Sequence, residues 1–235
     1  MDRKKFVKDS MLGLGAIIAA PLILGSCEKK TVTPDPNPTP STNPDPNCTI
    51  YPSEVKGPYP IKTPADWIRE NIVGDRTGIP LHIIFTIENV NNSCNPLADA
   101  QVDLWHCDAQ GNYSEYANQV DGDFTSQHFL RGRQTTDANG MVSFMTIYPG
   151  WYPGRAPHTH IEIKKDGQSL LVSQTSFPEA VSNEVYATAD YNGTFDTSNA
   201  QDGTFNDGIE DNMPTSVIGN VIDGYTLRET IKVSA

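Results

Sequence analysis

Positive charge is scarce in this chain. Its 235 residues carry 17 lysines and arginines against 29 aspartates and glutamates, a formal net charge of −12 at pH 7. So acidic a protein repels phosphate, which argues against nucleic acid or anionic lipid headgroups as partners. Long apolar runs are missing too: the stretch from Met11 to Leu24 is too short to cross a bilayer comfortably. Helical patterning is confined to one short candidate, Pro178 to Tyr191, and no internal repeat is evident, which leaves strands to build the fold.

What stands at the start explains the short apolar run. Arg3, Lys4, Lys5 and Lys8 form a basic lead, the apolar stretch follows, and L-G-S-C closes it at Leu24 to Cys27. This order predicts a lipoprotein signal over residues 1–26, with Cys27 as the lipidated N-terminus. Residues 27–47, dominated by T-V-T-P-D-P-N-P-T-P-S-T-N-P-D-P-N, are too rich in proline to pack and are expected to form an extended tether of about 3 Å per residue. Removing residues 1–26 takes away four of the 17 basic and two of the 29 acidic residues, leaving 13 against 27, a net charge of −14. The expectation is a membrane-anchored lipoprotein on the periplasmic or cell-surface face, touching the membrane only through its N-terminal lipid. Cys48, Cys94 and Cys107 would then remain, an odd count for an oxidising compartment.

Residues 48–235 read as one domain of ordinary size. Leu81 to Val90 is rich in β-branched residues and bounded by Gly78, Pro80 and an N-N-S turn, which predicts a strand. A-Q-V-D-L-W-H sets Val102, Leu104 and His106 against Gln101, Asp103 and Trp105. Two further strands flank D-A-N-G, where Gly140 suits positive φ in a hairpin turn, and another hairpin spans Lys165 to Gln168. Asn192 to Asn212, rich in glycine, aspartate, asparagine and threonine with scattered phenylalanines, reads as a long surface loop, and Gly224 to Val233 as a last strand. The fold class expected is all-β: an antiparallel β-sandwich with long loops and little helix.

The densest chemistry lies in T-I-Y-P-G-W-Y-P-G-R-A-P-H-T-H-I-E-I, Thr146 to Ile163. The period of two in H-T-H-I-E-I puts His158 and His160 on one face of a strand, where they can share an ion. Tyr152 stands on a tight Pro-Gly turn just upstream, Arg155 lies between it and the histidines, and Tyr113 follows a different strand in W-H-C-D-A-Q-G-N-Y-S. Anionic phenolate oxygens favour ferric over ferrous iron, whereas a zinc site would draw on Cys, His or carboxylate.

These motifs, with G-P-Y at Gly57 to Tyr59 and S-Q at Ser173 and Gln174, resemble the intradiol ring-cleavage dioxygenases of catechols over nearly all of the globular part. The resemblance implies a prealbumin-like sandwich and a non-haem Fe(III) ion held by Tyr113, Tyr152, His158 and His160. It implies a catechol-type substrate that displaces the axial Tyr152, which acts as a base, with His158 as axial histidine and Tyr113 and His160 equatorial. Dioxygen then opens the ring between the hydroxyl-bearing carbons to a muconate-type diacid. Arg155 matches the arginine that stabilises negative charge on the ring and binds substrate there, Gln174 a polar residue near the substrate, and Tyr59 a pocket wall. Tyr148, His82, His106 and His128 match no functional position and are assigned to packing.

The resemblance also bears on the thiols. At Cys107 the family usually carries a small residue, which implies a buried free thiol and leaves Cys48 and Cys94 to pair. Cys94 and Cys107 also flank an extended strand, and a bridge needs its Cα atoms within about 7 Å. Only Pro153 and Gly154 separate Tyr152 from Arg155 where cytoplasmic members have a longer loop, so this chain looks like the secreted branch, with a more open site. A second reading runs beside it. P-L-A-D-A-Q-V-D-L, T-D-A-N-G-M-V-S-F and I-Y-P-G-W-Y also suit non-catalytic prealbumin-like or carboxypeptidase-regulatory-like binding modules of surface lipoproteins, and the ligand set is what tells the two apart.

Overall fold

In chain order the strands are β1 (Pro80–Asn89), β2 (Asn95–Pro96), β3 (Gln101–Trp105), β4 (Arg131–Thr135), β5 (Met141–Ile147), β6 (His158–Lys165), β7 (Gln168–Ser176), β8 (Ser216–Asn220) and β9 (Gly224–Val233), with one helix, α1 (Glu179–Tyr186). This is a computed structural model that describes residues 48–205 and 208–235. The expected signal (1–26), lipidated Cys27 and tether (27–47) lie outside the described residues.

The strands form two sheets. In one, β1 pairs with β2 and β5 along one edge and with β9 along the other, and β9 pairs with β8; the second has the order β4-β3-β6-β7. Alternation builds the space between them. β1 buries Leu81, Ile83, Phe85 and Ile87 and turns His82, Ile84, Thr86 and Glu88 outward. Leu227 and Ile231 join them, with Val102, Leu104, Ile161 and Ile163 from the other sheet, in one continuous core. Each such aliphatic side chain contributes about 1.5–3 kcal/mol on burial.

The architecture is the expected all-β sandwich, with four differences. β1 and β9 run parallel, so the first sheet is mixed rather than purely antiparallel. β8 was not anticipated: its S-V-I-G-N is short and half exposed, and it exists because β9 offers an edge to pair with.

The D-A-N-G segment makes the expected turn, with Gly140 at φ +71° and its N–H donating to the Asp137 carbonyl at 3.0 Å. The strands it joins are nevertheless not a hairpin, because β4 belongs to the second sheet and β5 to the first. The backbone of β4 is taken on one side by β3 and on the other by Trp67 to Arg69, so β5 pairs with β1 instead. Finally, β3 is buried on both faces, with Asp103 bonded to Arg133 at 2.5 and 2.7 Å and Trp105 covered. Both faces of this sheet are therefore occupied, and the outer one carries the chemistry.

Cys48 and Cys94 form a disulfide with Cα atoms 5.8 Å apart, and Cys107 is a buried free thiol that burial holds well above the usual pKa. The bridge closes a loop of 46 residues between the segment before β1 and the end of that strand. Cys48→Ala/Cys94→Ala should lower unfolding free energy by about 2–4 kcal/mol, measured by denaturant titration, with little change in the sheet signal of the native state. Peptide mapping of unreduced protein should recover the Cys48 to Cys94 link, and a Cys94 to Cys107 link would contradict it.

Candidate metal centre

His158 and His160 point from the same side of β6, opposite to Ile161 and Ile163, which enter the core between the sheets. They therefore stand on the outer face of the four-stranded sheet. Trp105, across the register on β3, stacks on His160 with the rings nearly parallel and 5.1 Å apart, and Gln174 is the partner of His160 on β7. A small second cluster of Trp105, Cys107 and Tyr113, joined by Tyr59, Ile61 and Tyr152, seals this face. Gly57 roofs it. A Cβ there would sit 2.7 Å from His160 Cε1, and the residue holds φ +71°, so the position admits only glycine without rearrangement.

Loops bring the tyrosines in. After β3, the Asp108 carboxylate accepts from the N–H groups of Gln110 and Asn112, tightening a turn that delivers Tyr113, wholly buried, onto Tyr59 at a ring separation of 4.8 Å. After β5, Pro149 and Gly150 lead to Tyr152, whose carbonyl accepts from Arg155 N–H at 3.2 Å. Four donor atoms then meet. Tyr152 hydroxyl is 3.1 Å from His158 Nε2, His158 Nε2 is 3.1 Å from His160 Nε2, and His160 Nε2 is 3.2 Å from Tyr113 hydroxyl.

Protonation makes this group poor in hydrogens. His158 Nδ1 lies 2.6 Å from the Ala156 carbonyl, which only accepts, so Nδ1 carries the hydrogen and Nε2 presents a lone pair. Burial, then Arg155, pushes the His158 pKa down to about 3, and burial, then His158, holds His160 well below its usual value. Two neutral imidazoles thus direct nitrogens at each other across 3.1 Å. Burial also raises both phenols, Tyr152 to about 12 even with Arg155 beside it and Tyr113 well above its ordinary value, so the charges of the protein alone do not ionise either. Donors about 2 Å from a shared centre stand at such mutual separations, and neutral imidazole is the form that ligates. The set fits a hard metal ion. Among the described residues no group of three or more His, Cys, Asp or Glu could hold a metal, so the tyrosines are indispensable to this reading.

Beside the four donors lies Arg155. Its Nη1 is 3.5 Å from Tyr152 hydroxyl, Nη2 donates to Gln174 Oε1 at 2.5 Å, and Nε donates to Asp202 at 2.8 Å. A cavity of about 170 Å³ lined by Gln110, Val120, Trp151, Tyr152, Pro153 and Asn192 opens next to Tyr152. A roomier hollow of about 400 Å³ between Tyr51 and Glu229 shares no residue with it or with the donor group.

A family model described as Dioxygenase matches residues 55–192, a span that holds every one of the four donors, Arg155 and Gln174. The chain belongs to the intradiol ring-cleavage dioxygenase family. Among solved structures, an intradiol ring-cleavage dioxygenase from Tetranychus urticae is 30% identical with a TM-score of 0.71, covering 80% of this chain and 95% of that one. The protocatechuate 3,4-dioxygenase beta chain of Burkholderia cepacia is 33% identical over 113 residues, 44% of this chain and 48% of that one. A chlorocatechol 1,2-dioxygenase from Rhodococcus opacus is 29% identical over 112 residues, 40% of this chain and 42% of that one. The chain thus spans about half the length of the curated relatives it matches, or less.

For this family member the structure brings together all the residues singled out around the histidines, and Tyr59 lines the group by stacking on Tyr113. The packing residues lie elsewhere: Tyr148 bonds Ser182 Oγ in the core at 2.8 Å, His106 bridges Cys107 O and Thr146 Oγ1, and His128 stacks on Trp67. Two participants went unrecognised in the sequence. Arg131, fully buried, lies with its guanidinium carbon 5.9 Å from the Tyr113 ring and bonds Ser114 and the Tyr59 carbonyl; L-R-G-R gave no sign of it. Asp202 comes from the stretch read as a surface loop. That reading is corrected: Asn199, Asp202, Phe205 and Asn212 are buried there, and Asn212 Nδ2 donates to the Gln174 carbonyl at 2.9 Å. Composition marked the stretch as irregular but could not show that its polar side chains find partners in the site.

Proposed function

We propose that this protein is a non-haem Fe(III)-dependent enzyme that opens the ring of a catechol-type diol with dioxygen, giving a muconate-type diacid. The observation that carries the reading is the convergence of Tyr113, Tyr152, His158 and His160 beside Arg155 and Gln174. The names of the aligned relatives, protocatechuate and chlorocatechol dioxygenases, support the substrate class. When bound, ferric iron supplies a hard, electron-accepting centre to which both catechol oxygens can attach. Tyr113, Tyr152, His158 and His160 would hold it.

The two tyrosines are not equivalent. Tyr113 is wholly enclosed between Tyr59 and the sheet, whereas Tyr152 is only partly buried and borders the cavity. Tyr152 is therefore the donor placed to give way to substrate; as a metal-bound phenolate it would accept a catechol proton on leaving, since burial raises the free phenol to about 12 and makes its anion a strong base. Arg155 Nη1 then faces the position Tyr152 has left, where it steadies negative charge built on the diol and the attacked ring. The bond between the two oxygen-bearing carbons breaks and each atom of dioxygen ends in a product carboxyl group. The ring carbons supply all the electrons, so no external reductant is consumed. A non-catalytic sandwich module would account for the sheets and leave the four convergent donors without a role. The basic lead, the L-G-S-C box and the proline-rich stretch after it support a further part of the proposal, that the enzyme works outside the cytoplasm on a lipid-anchored tether.

The test is a spectrum. Purified protein should be wine-coloured from tyrosinate-to-iron charge transfer, contain about one iron per chain as expected for one four-donor site, and consume oxygen with catechol. Protein that stays colourless after ferric loading would overturn the reading.

A further inference from the structure

Aspartate in a glycine-rich acidic loop ordinarily faces water. Asp202 does not: it is 1% exposed. A carboxylate buried to that degree survives only if its charge and its lone pairs are matched. Both requirements are met at the edge of the site. Oδ2 accepts from Arg155 Nε at 2.8 Å and from Ala156 N–H at 2.7 Å, while Oδ1 accepts from Arg155 Nε at 3.0 Å and from Thr204 N–H at 2.8 Å.

The consequence concerns Arg155 more than the loop. A guanidinium is a rigid plane with five N–H groups, so two anchors on different edges set its orientation. Asp202 takes the Nε edge. Gln174 takes Nη2, and the Gln174 amide is itself oriented, because its Nε2 donates to the Val55 carbonyl at 2.8 Å and turns Oε1 toward Arg155. The remaining edge, Nη1, is directed at Tyr152 hydroxyl. Phe205, three residues beyond Asp202, lies with its ring 5.8 Å from the guanidinium carbon. Without Asp202 the group would be left on the single contact at Nη2 and could swing about it.

We propose that Asp202 is the positioning residue for Arg155, holding its free edge on the substrate position, so that the loop around residues 198–205 is a working part of the active site. The inference rests on the catalytic reading of Arg155 given above. A role confined to pinning the loop would need only the Thr204 and Ala156 bonds, whereas here the carboxylate gives each of its oxygens to Arg155 as well.

The experiment is a double-mutant cycle with a spectroscopic arm. Asp202→Asn, whose amide nitrogen cannot accept from Arg155 Nε, should keep iron and the resting colour but lower kcat for catechol about 10- to 100-fold, the range typical of removing a group that orients a ligand or catalytic side chain. In an Arg155→Ala background the same change should cost less than about twofold more, because the two residues act as one unit. Full, multiplicative losses in the double variant, or wild-type kcat in Asp202→Asn, would overturn the proposal. If Asp202→Asn does not fold, Asp202→Glu is measured the same way and should show a smaller loss that also vanishes with Arg155 removed; a loss that persists overturns it. The second arm needs no turnover. In protein loaded with diamagnetic gallium(III), the Arg155 Nε–H resonance, assigned by its absence from Arg155→Ala, should exchange with water roughly tenfold or more faster in Asp202→Asn. Unchanged exchange overturns the positioning role even if wild-type protein shows no ring cleavage, which would count against the functional reading alone.

Discussion

Tyr113→Phe should abolish ring cleavage while leaving the fold intact. Phenylalanine keeps the ring that stacks on Tyr59 and fills the same buried volume, so only the donor oxygen is lost. That oxygen is 3.2 Å from His160 Nε2 and belongs to a wholly buried side chain. Losing an anionic ligand removes several kcal/mol of charge stabilisation, so turnover should fall at least ~1,000-fold and iron should be held more weakly, with the visible band shifted or gone. Tyr152→Phe should behave differently, retaining more iron on three donors but losing the proton acceptor. Tyr148→Phe is the control: it is just as buried, but its hydroxyl faces Ser182, so the colour should stay and only about 1 kcal/mol of stability should go. Iron analysis, absorption spectra and oxygen uptake on the three variants decide the matter, and unchanged colour and turnover in Tyr113→Phe would remove it from the ligand set.

How much of this was legible in the sequence varies by residue. The face shared by His158 and His160 follows from the period of a strand, which needs no partner to be read. Tyr113 is another matter, because nothing local distinguishes a tyrosine after a Gly-Asn turn from any turn aromatic; the family resemblance singled it out. D-A-N-G revealed its turn and not its destination, since which sheet receives β5 depends on edges offered by Trp67 to Arg69 and by β1, both remote in sequence. Asp202 lay beyond reach for the same reason. Its partners Arg155 and Ala156 are reached only through the loop's path over the sheet, and an irregular path leaves no periodic trace.

Arg155→Ala separates binding from chemistry. Three of the four donors do not depend on this side chain for their positions: His158 is held through Nδ1 to Ala156, His160 by Trp105 and Gly57, and Tyr113 by Tyr59. Iron and the resting colour should therefore survive, and catechol should still change the spectrum on binding. What is lost is a cation whose Nη1 already faces the place where negative charge develops. Removing one such preorganised group commonly costs about a hundredfold or more in rate, so kcat should fall by that much with a smaller change in KM. Lysine should restore only part of it: a single ammonium cannot satisfy Asp202 and Gln174 and still present a third N–H edge to the substrate. Wild-type turnover in the alanine variant would put Arg155 outside the chemistry, and loss of iron would make its role structural. The three-edged anchoring of the guanidinium argues for neither, because an arginine needed only for packing would not have all its nitrogens directed at Asp202, Gln174 and Tyr152.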